Sequence, residues 1–193
     1  MTEFPGARWW KFDLHTHTPA SVDYGKGTDQ QAVRLIAPEE WLLNFMRAGI
    51  DCVAVTDHNS GEWIDKLKQA LSKLEADKHL EFRRLYLFPG VEITANGGIH
   101  VLAILDASKA GADINSLLGS VKYQGARGES QVAADDSVIQ VIEMISKAGA
   151  IPILAHADAA GSAFSMSGNT LAPILDSKAL IALEIRTPAA ANP

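Results

Sequence analysis

An α/β fold built on a parallel sheet, either open or closed into a barrel, is what this sequence predicts. Three observations lead there. Apolar runs rich in β-branched residues alternate with helical patterns. The 193 residues are 47% hydrophobic and 21% charged, the make-up of one globular unit able to bury a core. Histidines and carboxylates recur just past, or at the start of, the apolar runs, where parallel α/β sheets gather ligands.

Taken in order, the first strand is expected at about 9–14, ending the run Trp9-Trp10-Lys11-Phe12. Pro38-Glu39-Glu40 opens a helix, with proline and acids in its first turn, and Gly49 ends it. A strand at about 51–56 follows. Residues 62–78 form a second helix, where Trp63, Leu67, Ala70, Leu71 and Leu74 make a stripe at helical spacing. Strands are expected at about 85–91 and 99–105. The segment 106–135 holds Gly111, Gly119, Gly125 and Gly128 and shows no period beyond a short turn at 113–122. It reads as a long excursion over one end of the sheet. A third helix at 136–148 turns Val138, Val141, Ile142 and Ile145 inward and is capped by Gly149. A strand at about 151–155, a short helix at 170–177 and a strand at about 180–185 complete the pattern. The tail from Thr187 to Pro193 brings no closing helix, so the sequence reads as the N-terminal part of a longer protein.

The formal charge of −6 argues against a surface that coats nucleic acid, though not against a local basic groove. Cys52 is the only cysteine. It excludes an intrachain disulfide and a thiolate zinc site, and reads as a small buried hydrophobe. No apolar run approaches the roughly 18 residues of a membrane span. Glu3, Arg8 and Lys11 interrupt any signal-peptide pattern, so a cytoplasmic location is expected. Trp9, Trp10, Trp41 and Trp63 read as core and rim packing.

Any metal must then be held by His, Asp and Glu. His15 and His17, two apart at a strand end, face the same way and make half a site for one ion. Thr56-Asp57-His58, Val91-Glu92, His100-Val101 and Ala155-His156 deliver further donors from other strands. A carboxylate among them can bridge two cations. His79, in a charged stretch, reads as merely solvated. For His100 the competing reading is a satisfied core histidine. For Asp23, Asp57 and Asp158 it is a turn or cap residue.

These segments, Asp13-Leu14-His15-Thr16-His17-Thr18, Thr56-Asp57-His58, Pro89-Gly90-Val91-Glu92, His100-Val101-Leu102 and Ala155-His156, occur in the order of the PHP (polymerase and histidinol phosphatase) domain, which the chain resembles over nearly its whole length. Gly6 to Phe12, with Pro19-Ala20-Ser21 and Tyr24-Gly25, further resembles the N-terminal PHP domain of TrlF-type AAA-like ATPases. The resemblance implies a distorted (β/α)7 barrel, here truncated at the C-terminus, as a single domain over 1–193. It implies two or three divalent ions at the rim, with zinc, manganese and iron all suited to the donors. His15 and His17 would hold the first ion, Glu92 would bridge first and second, and His100 and His156 would complete the second. His58 would hold the third, with Asp23. Glu92, His15 and His17 would be the catalytic set, and Asp13 and Asp57 would orient imidazoles.

The sequence departs from the PHP pattern in two places. No Asp-x-His pair follows His156, and the later acid Glu184 sits where the family does not normally place a ligand. Either the chain ends before the last strands or the domain is degenerate. Ala157 stands where proline commonly follows the histidine, freeing Asp158 as a ligand or an orienting group.

The implied activity is phosphoester hydrolysis by a metal-activated water, on a nucleotide, a nucleic acid or a small phosphomonoester. Arg8, Lys26, Arg127 and Arg186 are candidate phosphate contacts. The implied partner is a C-terminal ATPase domain. A non-catalytic scaffold of a nucleic-acid-processing ATPase is the alternative. C–N hydrolysis ranks last, since no lysine at a strand end suggests a carbamylated bridge.

Overall fold

The computed structural model describes residues 7–187. Gly6 of the opening motif and the tail from Pro188 lie outside the described residues. Six strands form one curled sheet in the order β1 to β6: β1 Phe12–Thr16, β2 Cys52–Val55, β3 Tyr86–Thr94, β4 His100–Ile104, β5 Ile151–Leu154 and β6 Ala182–Leu183. The result is a half-barrel, consistent with a distorted PHP-type barrel, with six of the seven expected strands among the described residues.

The sheet is mixed rather than parallel. β1, β2 and β3 run parallel, and so do β5 and β6, but β4 is antiparallel to both β3 and β5. The cause is local. Gly97 and Gly98, both at positive φ, turn β3 straight back into β4, where a crossover helix would have kept the strands parallel. β3 also changes partner along its length. Its first half pairs with β2 and its second half with β4. Gly90 marks the changeover, where an added Cβ would meet Ala103 O at 2.8 Å and Val55 O at 3.0 Å. Only glycine lets both neighbouring backbones come that close.

Six helices are described: α1 Gln30–Val33, α2 Pro38–Arg47, α3 Ile64–Ala76, α4 Gly111–Ser120, α5 Val138–Lys147 and α6 Gly168–Leu175. α2 opens on Pro38 at its first turn and buries Trp41, Leu42, Leu43 and Met46. α3 buries Ile64, Leu67, Ala70 and Leu74, and packs on α2. Ser137 and Gln140 close α5 with a reciprocal cap, Gln140 Oε1 accepting from the Ser137 amide at 2.9 Å. The excursion expected over 106–135 contains α4, a full helix. Ile114, Leu117 and Leu118 lie buried at positions i, i+3 and i+4, and each is worth about 1.5–3 kcal/mol of burial. Gly111 and Gly119 had disguised that stripe. The rest of the excursion meets the rim at three points: the Gly128 amide donates to His58 O, the Ala134 amide donates to Thr94 O, and Ser130 lines the cleft there.

β1 starts later than expected, at Phe12. Trp9 is 98% exposed and Trp10 39% exposed, so neither packs in the core, whereas Trp41 and Trp63 do. Trp10 instead meets Tyr86 edge-on, with the Arg8 guanidinium over its ring. His79 is exposed and Cys52 buried, as expected.

Asp51 ties the segment before β1 to the segment before β3. Its carboxylate accepts from the Lys11 amide at 3.0 Å, Arg8 at 2.9 Å and Arg83 at 2.5 Å. The Lys11 amide above all, and then Arg83 and Arg8, hold it below the ordinary aspartate range against its burial. A depressed carboxylate contributes stability that is present above the unfolded value, about 3.9, and lost as pH falls through the folded one. Asp51→Asn should therefore lower the melting temperature at neutral pH, and the difference should close in acid. Melting curves across pH 7 to 3 check this, and a constant gap would count against it.

Candidate metal centre

The rim is built around one carboxylate. Glu92 is completely buried, in the second half of β3. Five imidazoles converge on its two oxygens. His15 Nε2 at 3.1 Å, His17 Nε2 at 3.3 Å and His58 Nδ1 at 3.1 Å face Oε2. His100 Nδ1 at 2.7 Å and His156 Nε2 at 3.0 Å face Oε1. The rings are between 7% and 25% exposed, so they remain reachable from an open cleft of about 490 Å³.

Each donor arrives by its own route. His15 lies within β1 and His17 just beyond it, their rings 5.2 Å apart. His58 follows β2, and the bridge between His58 and Glu92 extends the sheet past the strand ends. Because β4 runs backwards, its first residue, His100, reaches the same rim as the far ends of the parallel strands. His156 follows β5 with φ +32°, a left-handed conformation costing about 1–3 kcal/mol. Glu184 holds it there, accepting from the His156 amide through Oε2 and from the Ala157 amide through its carbonyl, both at 2.8 Å.

The charges follow from these contacts. Burial penalises the Glu92 carboxylate, but its imidazole partners, led by His100 and His15, hold it well below the usual carboxylate range. Burial pulls His15 down, but Glu184 and Glu92 outweigh it together and push it up to about 10. Burial lowers His58, overriding the attraction of Glu92. Burial raises Asp57, against hydrogen bonds from Thr18 and Ser21.

The donor set fits divalent cations. Two carboxylate oxygens offer about four lone-pair sites, too few for five ring N–H groups. His58 Nδ1, buried and close to Oε2, has no hydrogen-bond partner. A cation seated between nitrogens and oxygens would use lone pairs that are otherwise opposed. Ligand atoms of His15, His17 and Glu92 lie within 4.8 Å of one another, as do those of His17, Asp23 and His58, and of His58, Glu92 and His100. His58 Nε2 is 3.3 Å from Asp23 Oδ2. All seven of the sequence-derived candidates, His15, His17, Asp23, His58, Glu92, His100 and His156, therefore line one cleft.

Other expectations change. Asp13 touches no imidazole, and its carboxylate accepts only the His15 amide, at 3.4 Å. Asp158 lies off the cleft and fixes the chain after β6, accepting the Arg186 and Thr187 amides at 2.9 and 2.7 Å. Asp57 does act on an imidazole, through Ser21, which bridges it to His17. Glu184 Oε2 accepts from His15 Nδ1 at 2.7 Å, which leaves Nε2 for the centre. Neither Ser21 nor the contact made by Glu184 was legible in sequence. Of the four candidate phosphate contacts only Arg186 lines the cleft, while Arg8 is paired with Asp51 and Arg127 lies over Tyr123.

Three solved structures share this architecture. A protein from Bifidobacterium adolescentis ATCC 15703, assigned as a metal-dependent phosphoesterase, aligns with a TM-score of 0.57 at 18% identity, over 92% of this chain and 77% of its own. The lesion-specific endonuclease PfuEndoQ from Pyrococcus furiosus aligns with a TM-score of 0.63 at 15% identity, over 91% of this chain. Their likeness shows a shared fold, in keeping with the distorted barrel that the sequence resemblance implies. An amidohydrolase from Chromobacterium violaceum has a related fold, with a TM-score of 0.52 at 15% identity, over 90% of this chain and 76% of its own. This chain spans 42% of the endonuclease. No family model matches the sequence, and no curated protein sequence matches it. No helix among the described residues is long and apolar enough to cross a membrane.

Proposed function

We propose that this PHP-type chain is a metal-dependent phosphoesterase. The observation that carries the proposal is the convergence of five imidazoles on the two oxygens of one buried carboxylate. His15 and His17 would hold one ion with Glu92 Oε2, and His100 and His156 a second with Oε1. His58 and Asp23 would hold a third. The imidazole and carboxylate donors suit zinc, manganese and iron. Bound there, such ions would supply water activated near neutral pH and an electrostatic clamp on phosphoryl oxygens.

The protein's own groups do the rest. Glu92 keeps its charge despite complete burial and so bridges the two sides of the centre. Glu184 sets the ring of His15 and the backbone of His156 together. Arg186, the one arginine lining the cleft among the described residues, offers a fork to a phosphate, and Asp158 fixes its backbone. No lysine lines the cleft among the described residues, so a carbamylated bridge of the amidohydrolase kind has no donor.

A nucleotide or nucleic-acid phosphodiester is the favoured substrate. The open cleft and single arginine suit one internal phosphate, and one structural neighbour is an endonuclease. The test is elemental analysis by ICP-MS, followed by turnover of bis-p-nitrophenyl phosphate, p-nitrophenyl phosphate and a single-stranded oligonucleotide. Two or more equivalents of metal, with diester cleavage lost on chelation, are expected. A metal-loaded protein inert on every phosphoester would sink the proposal. Arg186→Ala should raise KM for the diester about tenfold with a smaller change in kcat. An unchanged KM would remove Arg186 from the substrate site.

A further inference from the structure

We propose that Ser21 is the positioning residue that commits His17 to its metal-binding tautomer. The inference rests on the metal-site reading above. Ser21 is fully buried, and its hydroxyl has three partners. Asp57 Oδ1 lies at 2.7 Å, His17 Nδ1 at 2.9 Å and the His58 amide nitrogen at 3.0 Å.

A serine hydroxyl has one proton to give and two lone pairs to accept with. The His58 amide can only donate. The Asp57 carboxylate already accepts the Thr18 amide at 2.7 Å and the Thr18 hydroxyl at 2.6 Å, and that hydroxyl itself accepts the Ala20 amide. Ser21 therefore gives its proton to Asp57 and one lone pair to His58. A single lone pair remains, and it faces His17 Nδ1. That nitrogen must carry the imidazole proton, leaving the lone pair on Nε2. Nε2 is the atom aimed at the centre, 3.3 Å from Glu92 Oε2 and 3.3 Å from His15 Nε2. The other tautomer would oppose two lone pairs at Ser21 and turn an N–H toward the ion.

The segment cannot back away from this arrangement. The Val22 amide donates to Gly128 O, and the Gly128 amide donates to His58 O, both at 2.9 Å. Gly128 has φ +85°, and an added Cβ would lie 2.1 Å from Ala20 O. The Ser21 hydroxyl bonds to His17 and His58, which both face Glu92 Oε2, whereas His100 and His156 face Oε1, so its influence falls on one side of Glu92.

The test uses metal-free protein and Ser21→Ala. Calorimetric titration with Mn²⁺ or Zn²⁺ should show the ion that needs His17 bound about ten- to a hundredfold more weakly in the variant, with the His100 side unchanged. Imidazole ¹H–¹⁵N correlation spectra at mildly alkaline pH should show His17 protonated at Nδ1 in the unsubstituted protein and a tautomer mixture in Ser21→Ala. His100→Ala is the control, expected to weaken metal binding without moving the His17 tautomer. An Nε2-protonated His17 in the unsubstituted protein, or an unchanged tautomer in Ser21→Ala, overturns the proposal. If the unsubstituted protein binds no metal, the metal-site reading fails, and the tautomer comparison still decides the role of Ser21. Should Ser21→Ala not fold, the tautomer of the unsubstituted protein decides alone.

Discussion

Glu92→Gln is expected to strip at least one ion from the centre and to cut metal-dependent turnover on the order of a thousandfold, since a metal centre contributes several kcal/mol to such chemistry. The substitution changes almost no volume. It replaces one of two oxygens with an amide N–H₂ group, which donates where a cation needs a lone pair. With five imidazoles pointing at those oxygens, one side of the centre loses its anchor whichever way the amide turns. The bridging charge goes with it. ICP-MS and diester turnover on folded variant, checked by circular dichroism, measure both losses. Turnover above a tenth of the original would remove Glu92 from the chemistry.

His15→Ala and Glu184→Gln should differ in kind. His15 presents Nε2 to Glu92, so removing it should cost one equivalent of metal outright. Glu184 acts through the other ring nitrogen, at 2.7 Å, and through the His156 amide. Glutamine there keeps a carbonyl acceptor, so Glu184→Gln should keep the ion while weakening it about ten- to a hundredfold. Metal content after dialysis, with a titration of each variant, separates the two. Equal loss in both would mean that Glu184 holds a cation itself.

His58, Glu92, His100 and His156 are legible because each stands beside an apolar, β-branched run, whereas Asp23 comes from the family resemblance alone. Val53-Ala54-Val55 announces His58, and Ile151-Pro152-Ile153-Leu154 announces His156. The reading failed where meaning depends on spatial neighbours. Ser21 looks like any turn serine until Asp57, 36 residues on, meets it. Glu184 reads as an ordinary strand-end acid until the sheet curls and brings His15 against it. Strand direction leaves no mark on an alternating pattern, and only Gly97-Gly98 hinted that β4 runs backwards. The stripe of Ile114, Leu117 and Leu118 was present in α4, but glycines at both ends of it suggested a loop. Trp9 and Trp10 show the opposite error, since apolar character alone does not place a residue inside.

The reversed strand also bears on the order in which the protein assembles. Glu92 and His100 are only eight residues apart and sit on the two arms of one hairpin. Their meeting requires little loop-closure entropy, whereas His15 and Glu184 must join across 169 residues. Local contacts form fast and distant ones slowly. The centre should therefore grow outward from the β3–β4 hairpin, with β1 and the segment of Glu184 docking last. Pulsed hydrogen exchange during refolding should protect the amides of β3 and β4 before those of β1. A nascent chain would thus hold two of its ion-facing groups in place well before its last strand existed, and cation uptake could begin during synthesis.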